Sequence, residues 1–378
     1  MLKEHWTYKK LGEVVSITMG QSPSSDTYND SVGLPFFQGN ADFGKEHPNV
    51  RLFCNAPIRI ADVDDILISV RAPIGAINVA DRKCCIGRGL ASLRGNANCH
   101  NRFILHFLKA NKDKLISQGT GSTFKSIGKD ALYNLLIPVP SPPEQKHIVS
   151  ELDLLQSIID KQQTQLKELD KLAQAVFYDM FGDPVENEKG WETAKLNKVC
   201  DVRDGTHDSP SYYEEGYPLI TSKNVIDGKI SFDEVNYICK EDFDNISKRS
   251  KVDDGDIIMP MIGTIGKPVI VKKDREFAIK NVALIKFIPD SKVINVYIQA
   301  IMSSKAFDTY MRSKNRGGNQ KFIALGDIRK LNVQVPPLSL QQSFAAKIGS
   351  IEKQKAAISQ SMAETQKLFD YTMDKYFG

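Results

Sequence analysis

The chain has 378 residues, of which 41% are hydrophobic and 25% are charged, a balance typical of a globular protein with two or three domains. Its net charge of +4 is too small to identify a nucleic-acid-binding protein by itself. The longest apolar runs are far too short to span a membrane and the N-terminal MLKEHWTYKK includes no apolar signal segment, so we expect a cytoplasmic protein without membrane contact.

Residues 1–143 have the pattern of a first small domain. The segments DILISV (65–70) and GAINVA (75–80) are short β-branched runs bounded by Gly, Pro and Asp, which favours strands joined in hairpins. The segment FILHFLKANKDKLISQG (103–119) carries apolar residues at spacings of three and four, which predicts a helix or two. The expected fold class is therefore α+β.

Residues 144–182 follow the segment PVPSPPEQ and predict one long helix. Steps of four and three alternate without a break along a heptad stripe at Ile148, Leu152, Leu155, Ile159, Gln162, Leu166, Leu169, Ala173, Val176 and Met180. Such a helix would be about 55 Å long at 1.5 Å per residue, which is too long for the interior of one small domain. We expect a coiled coil with a second stripe; the alternative is an amphipathic helix packed on its own domain.

Residues 183–339 predict a second domain that repeats the first. The strand segments DIIMPM (256–261) and KPVIVK (267–272) and the helical segment 296–313 follow in the same order. The offset between matching residues changes from 185 near the start to 191 and then 196, as loops of different length would produce. The matched pairs include Trp6 with Trp191, Gly20 with Gly205, Pro140 with Pro336, Gln145 with Gln341 and Gly182 with Gly378.

Residues 340–378 predict a second long helix. Its heptad stripe lies at Phe344, Ile348, Ile351, Lys355, Ile358, Met362, Thr365, Phe369, Thr372 and Tyr376. A compact domain keeps its termini close together, so residues 183–339 should bring the end of the first helix near the start of the second. We therefore expect an antiparallel two-helix coiled coil that separates two similar domains.

The six cysteines are Cys54, Cys84, Cys85, Cys99, Cys200 and Cys239. None forms a C-x-x-C pair, so neither a zinc ribbon nor a redox dithiol has the local spacing that it requires. We expect reduced thiols, no bound metal and no cofactor.

Two similar domains joined by a stiff spacer suit a divided DNA target. Major-groove faces recur every ~34 to 36 Å along one side of a duplex, so a rigid link lets two domains meet two half-sites.

The chain resembles the specificity subunit of type I restriction–modification systems over essentially its full length. The resemblance rests on several segments together: Trp6 with KKLGEVVSI, IPVPSPPEQ, FYDMFG, GTHDSP followed by LITSKNV, and GTGSTFKSI with its partner RGGNQKFIAL. It implies two target-recognition domains, each reading one half of an asymmetric bipartite site in double-stranded DNA, with the helices as spacer. It also implies no catalytic residues, two methyltransferase subunits bound through the helices, and a motor nuclease (restriction) subunit as a further partner.

Candidate DNA contacts are the polar side chains of the loops. Arg, Asn and Gln suit base edges, whereas Lys, Ser, Thr and backbone N–H groups suit phosphates. The candidates are Gln21, Ser22, Arg71, Arg88, Thr123 and Lys125 in the first domain and Thr206, His207, Ser222, Lys223, Asn224, Lys280, Asn319, Gln320 and Lys321 in the second. The alternative is structural: the hydroxyls of Thr206 and Ser222 can cap backbone groups, and His207 can be a satisfied surface residue beside Asp208.

Two other functions compete with DNA recognition. A coiled-coil scaffold whose globular ends bind proteins without DNA readout has the same composition and repeat. An enzyme acting alone fits worse, because the sequence has neither an N/D-P-P-Y/F methyltransferase motif nor a G-x-x-x-x-G-K-S/T phosphate loop.

Overall fold

A computed structural model of the chain describes residues 5–120, 125–226, 228–261, 268–313 and 323–378. Its contacts divide it into two compact units, Met1–Gln163 with Ser359–Gly378 (unit 1) and Thr164–Ile358 (unit 2). Each long helix is therefore shared between the two units. Among the described helices, none is both long enough and apolar enough to cross a membrane.

Unit 1 combines short strands with helices. Its strands are β1 Thr7–Lys10, β2 Val15–Met19, β3 Tyr28–Asn29, β4 Leu34–Phe37, β5 Phe53–Cys54, β6 Ile60–Ala61, β7 Ile66–Ser69, β8 Ile77–Val79, β9 Cys84–Ile86, β10 Leu90–Gly95 and β11 Leu136–Val139. The helices are α1 Leu11–Val14, α2 Asn101–Ala110, α3 Lys112–Ser117, α4 Lys129–Tyr133 and the first part of α5 Pro142–Phe181.

Three sheets form from these strands. The order β2-β10-β7-β8 is antiparallel throughout, β1 pairs with β11, and the sheet β3-β5-β4-β9-β6 contains one parallel pair, β4 with β9. The parallel register joins Phe36 to Cys85 and Phe37 to Ile86. All four residues of β7, in the first predicted apolar run, are buried, whereas β8, in the second, is buried only at Asn78.

Unit 2 has the same architecture. Its strands are β12 Thr193–Lys195, β13 Asp201–Asp204, β14 Tyr217–Ile220, β15 Val225–Ile226, β16 Lys229–Ile230, β17 Asn236–Ile238, β18 Ile257–Pro260, β19 Val269–Ile270, β20 Ala278–Ile279, β21 Val282–Lys286 and β22 Asn332–Gln334. The helices are α6 Leu196–Val199, α7 Lys240–Ser250, α8 Asn295–Met302, α9 Lys305–Ser313, α10 Leu325–Arg329 and the first part of α11 Leu338–Phe377, with the end of α5. The last part of α11 belongs to unit 1.

The sheet order confirms the repeat. In unit 2 the order β13-β21-β18-β19, the pair β12-β22 and the parallel pair β14-β20 reproduce the three arrangements of unit 1. A buried aspartate also matches between the two units. In unit 1, Asp65 accepts from the backbone of Asp62 at 3.0 Å and pairs with Arg94. In unit 2, Asp256 accepts from the backbone of Asp253 and pairs with Lys286. The sequence did not predict α7, which follows β17 in unit 2; the described stretch 55–65 of unit 1 contains only the short strand β6.

The two long helices run antiparallel in each unit, as predicted. In unit 1, Tyr376 donates from its hydroxyl to Glu151 at 2.7 Å and Gln162 Nε2 donates to Ser361 Oγ at 3.0 Å. Residue numbers therefore fall along α11 as they rise along α5. In unit 2, Lys355 Nζ lies 2.8 Å from Asp170 and the ring of Phe344 lies 5.3 Å from that of Phe181, which gives the same antiparallel direction. Helix α5 begins at Pro142 and α11 at Leu338, directly after Pro337, so each begins two residues before its predicted start. Proline is common at this end of a helix because no backbone donor is needed there.

The heptad positions lie inside these units. The buried positions are Ile148, Leu152, Leu155, Ile159, Phe344, Ile351, Thr372 and Tyr376. The half-buried positions are Gln162, Leu166, Leu169, Ala173, Val176, Met180, Ile348, Lys355, Ile358, Met362, Thr365 and Phe369.

The helix ends also pack into globular cores. Phe377 lies 5.2 Å from the ring of Phe103 in unit 1, and Phe181 lies 4.7 Å from the ring of Tyr297 in unit 2. Burying an aromatic side chain contributes about 1.5–3 kcal/mol. The helices therefore contact both each other and the globular parts. The predicted coiled coil and its alternative, a helix packed on its own domain, are both present.

Candidate nucleic-acid interface

Four loops of unit 1 meet at one polar surface. Ser22, Arg71 and Arg88, three of the predicted contacts, line one cavity of about 180 Å³. The other lining residues are Gln38, Gly39, Asn40, Ala72 and Gly89. We call the side chains of Gln21, Ser22, Gln38, Asn40, Arg71 and Arg88 loop surface 1. Gln38 and Asn40 were missed by the sequence analysis.

Backbone hydrogen bonds hold the first two loops together. Gln21 donates from its backbone to Ile86 at 3.0 Å, and the backbone N–H of Arg88 donates to Ser22 Oγ at 3.3 Å. A Cβ on Gly20 would lie 2.1 Å from the carbonyl oxygen of Gly87, so only glycine permits this approach. Gln21 and Arg88 remain exposed above this closely packed base.

A buried carboxylate shapes the third loop. Asp42 is 6% exposed, accepts from the backbone of Gln38 at 2.7 Å, and pairs with the guanidinium of Arg51. The loop therefore presents the side chain of Gln38 to solvent at a fixed place.

The fourth loop brings Arg71 next to Lys125. The backbone N–H of Ala72 donates to the carbonyl of Lys125 at 3.2 Å, and both Arg71 and Lys125 are exposed. Arg71 lines the cavity, and Lys125 is joined by its backbone to the same loop. Thr123, also predicted as a contact, lies outside the described residues.

Unit 2 builds a corresponding surface. The backbone N–H of Thr206 donates to Ile279 at 3.0 Å, as Gln21 does to Ile86, and Asn281 donates to the carbonyl of Thr206 at 3.2 Å. Ser222 donates from its hydroxyl to the carbonyl of Asn281 at 3.5 Å. Loop surface 2 consists of the side chains of Thr206, His207, Ser222 and Asn281.

Three other predicted contacts of unit 2 differ in exposure. Asn224 is 7% exposed, and its Oδ1 accepts from the backbone and hydroxyl of Thr221 at 3.0 and 2.9 Å, a role equivalent to that of Asp42. Lys280 is 9% exposed and its Nζ donates to Ser209 Oγ at 2.6 Å, whereas Lys223 is exposed. Asn319, Gln320 and Lys321 lie outside the described residues.

Arg88 and Asn281 occupy the same position in the two units. Gly87, which precedes Arg88, donates its backbone N–H to Phe37 at 2.8 Å across the parallel strand pair of unit 1. Lys280, which precedes Asn281, donates to Ile220 at 2.8 Å across the parallel pair of unit 2. The predicted contact was Lys280, one residue before Asn281. Unit 1 has one residue more than unit 2 between this position and the following strand, so the two sequences align here only with a gap. The register of the strands on either side would have identified Asn281.

His207 is held between two acceptors. Its Nε2 lies 2.8 Å from Asp204 Oδ2 and its Nδ1 lies 3.0 Å from Asn281 Oδ1. Asp204 is 6% exposed and also pairs with Arg249. The hydrogen bond with Asn281, followed by that with Asp204, raises the pKa of His207. The sequence suggested Asp208 as its neighbour, whereas the partner is Asp204, three residues earlier on β13.

These two surfaces present guanidinium, amide and hydroxyl groups from loops on rigid sheets. Such groups hydrogen-bond to base edges and phosphates, and a fixed scaffold orients them. By contrast, five of the six cysteines are buried and all six are free thiols. Burial raises the pKa of Cys85 to about 11 and that of Cys84 to about 12.

Comparison with known proteins gives a consistent family. The family model for the type I restriction modification DNA specificity domain matches residues 3–171 and 188–365. The putative type I restriction enzyme MjaX specificity subunit of Methanocaldococcus jannaschii is 40% identical over 174 residues, which are 45% of this chain and 41% of that protein. The match therefore spans less than half the length of that relative.

Two further relatives match over greater lengths. The MjaIX specificity subunit of the same organism is 23% identical over an alignment covering 91% of this chain and 86% of that protein. The crystal structure of the type I restriction–modification system S subunit from M. genitalium matches with a TM-score of 0.62 at 14% identity, covering 100% of this chain and 98% of that one. This structural likeness shows a shared fold.

Proposed function

The chain belongs to the family of type I restriction modification DNA specificity domains, and on this basis we propose that it recognises DNA sequence within a restriction–modification complex. Each globular part reads one half of an asymmetric bipartite site in double-stranded DNA. The observation that carries this proposal is the repeated surface, in which Arg88 and Asn281 occupy equivalent positions on equivalent loops. Those two residue types carry different hydrogen-bonding groups, donors only for Arg and a donor with an acceptor for Asn, so they are suited to different bases.

The side chains divide into proposed base and phosphate contacts. Gln21, Arg88 and Asn281 have the forked or paired groups that read base edges, whereas Arg71 and Lys125 supply cations for phosphates. Thr206, Ser222 and Lys223 are further phosphate contacts. Asn224 and Lys280 shape the loops of unit 2 through their own hydrogen bonds. Thr123, Asn319, Gln320 and Lys321 are proposed on their sequence pattern alone.

The two long helices are the proposed spacer of the DNA site. Each is 40 residues long, about 60 Å at 1.5 Å per residue, and each contributes side chains to the cores of both units. The proposed division assigns residues 1–143 and 183–339 to target recognition, and 144–182 and 340–378 to the spacer.

The proposed partners are two methyltransferase subunits, bound through the helices, and a restriction subunit for cleavage. The chain itself carries no catalytic step in this proposal and directs the enzymes to the site in the cytoplasm.

The test is to co-express the chain with its methyltransferase partner and map methylated adenines across a genome. The expected result is one motif with two specified parts separated by a fixed unspecified length. A protein-binding scaffold gives no sequence-dependent DNA retention in a gel shift with the methyltransferase present. An enzyme acting alone methylates or cleaves DNA when the purified chain is incubated with duplex and methyl donor.

A further inference from the structure

The contact between His207 and Asn281 occupies one of the two polar groups of the Asn281 amide on loop surface 2. Asn281 lies at the turn between β20 and β21, with a φ of 56°, and is half-buried. Its Oδ1 faces His207 Nδ1 at 3.0 Å. Among the described residues, no acceptor lies against its Nδ2. The amide nitrogen is therefore the group left for a ligand.

We propose that Asn281 determines specificity at one base pair of the second half-site, and that the proton on His207 decides which end of the Asn281 amide faces the DNA. This inference rests on the proposed function and adds to it the chemistry of one contact. His207 is a positioning residue here, since both of its ring nitrogens already have partners within the protein.

In the protonated state both ring nitrogens of His207 are donors. Nε2–H donates to Asp204 and Nδ1–H donates to Asn281 Oδ1, which suits the separations of 2.8 and 3.0 Å between these atoms. Asn281 then presents only the two N–H donors of its amide. Such a group selects a base edge with acceptors, as in guanine (N7, O6) or thymine (O4).

In the neutral state the proton stays on Nε2, because Asp204 can only accept. Nδ1 then carries a lone pair and becomes an acceptor. The Asn281 amide turns by half a rotation so that Nδ2–H donates to Nδ1, and Oδ1 faces outward. An outward acceptor selects an exocyclic amine, as in cytosine (N4) or adenine (N6).

Charged groups around His207 set the direction of its titration. Asp204 on β13 favours the imidazolium, while Arg249 on α7, which pairs with the same carboxylate, opposes it. Asp208 neighbours His207 in the chain, and Lys280 donates to Ser209 at 2.6 Å on the same loop. The pKa of His207 is raised, chiefly by the contact with Asn281, so the donor-presenting state is favoured at low pH and is lost as the pH rises through the raised pKa.

Loop surface 1 supplies a built-in control. The position of His207 is taken there by Ser22, whose Oγ accepts from the backbone of Arg88, and the position of Asn281 is taken by Arg88 itself. Serine and arginine do not titrate between pH 6 and 9. Recognition of the first half-site should therefore keep the same base preferences across this range.

The experiment uses the full chain in complex with its methyltransferase partner. Duplexes randomised in both half-sites are selected by binding at about pH 6 and about pH 8.5, on either side of the histidine range, and sequenced. Wild type should change its preference at one base pair of the second half-site, from guanine or thymine toward cytosine or adenine. His207→Gln should show one preference at both pH values, and Asn281→Ala should lose at that pair roughly tenfold discrimination or more.

A matched control is His147→Gln, which makes the same chemical change on an exposed position of α5 and should retain the pH-dependent change of wild type. Identical base preferences of wild type at both pH values would overturn the inference, as would a pH-dependent change that persists in His207→Gln. Failure of the proposed function is a different result: neither half-site would be selected at either pH.

Discussion

The side chains at and beside loop surface 1 differ in how well they can distinguish one base from another. Arg88 is exposed and its backbone N–H donates to Ser22 Oγ, so its side chain starts from a fixed place on the loop. Lys125, by contrast, carries a flexible ammonium beside Arg71 and has no geometry that would select a base. Loop surface 1 thus holds a residue suited to base recognition, and beside it lies one suited to phosphate attraction.

Replacing Lys125 with alanine should weaken binding to all duplexes about equally. One lost phosphate contact lowers the slope of log affinity against log salt by about one. The measurement is a salt titration of the methyltransferase complex on target and non-target duplexes. Arg82→Ala is the control, because that guanidinium already pairs with Asp81 at 2.8 Å. An unchanged slope in Lys125→Ala removes this lysine from the interface.

At the scale of elements, two buried glutamines attach the long helices to the globular parts. Gln145 donates to the carbonyls of Asn98 and Pro140 at 2.9 Å each and accepts from the backbone of His100. Gln341 makes the same three contacts with Lys292, Pro336 and Ile294. The repeat therefore preserves a hydrogen-bonding junction at the start of each helix as well as the strand order.

Changing either glutamine to alanine leaves buried backbone groups without partners and should lower the free energy of unfolding by about 1–3 kcal/mol. Urea denaturation of the full chain measures the loss. Gln163→Ala, at an exposed position of α5, should have little effect. Equal stability of the Gln145 and Gln163 variants would contradict a role for the junction.

A second junction, between α2 and α5, predicts a pH dependence. Asp153 lies 3.0 Å from Arg102 and 2.8 Å from the buried ring of His106. Burial alone would raise the pKa of Asp153, but hydrogen bonds from Arg102 and His106 hold it below its usual value. Burial lowers the pKa of His106. Neutral His106 therefore contributes stability that is full above about pH 6.5 and is lost as pH falls through its lowered pKa. His106→Gln should flatten the stability profile between about pH 7.5 and pH 5; a profile that still falls as steeply as in wild type would contradict it.

Periodicity made the elements predictable, and long-range register made the site harder to predict. The strands around Ile66 and Ile257 and both long helices follow from apolar patterns that act within a few residues. The position of Asn281 depends on strand pairing with residues about 60 positions away, and the partner of His207 is on the preceding strand rather than beside it. Helix α7 was missed because only Phe243 and Ser250 of its eleven residues are buried, so its apolar pattern is weak.

For the whole molecule, the proposed spacer role predicts that the unspecified length between the two half-sites and the sequences of the half-sites are determined independently. Inserting seven residues, one heptad, into both α5 and α11 should keep the apolar stripes aligned and lengthen the helices by about 10 Å. Methylation mapping should then show the same two half-sites with a different unspecified length between them. An unchanged spacing would contradict the spacer role.

The most direct test of two equivalent reading surfaces is methylation mapping of Arg88→Ala and Asn281→Ala beside wild type. Each lost base contact costs about 1–3 kcal/mol of discrimination. The account predicts a two-part adenine methylation motif in which Arg88→Ala relaxes one base pair of one half only and Asn281→Ala relaxes one base pair of the other half only. A single undivided motif, or relaxation of the same half by both variants, would contradict it.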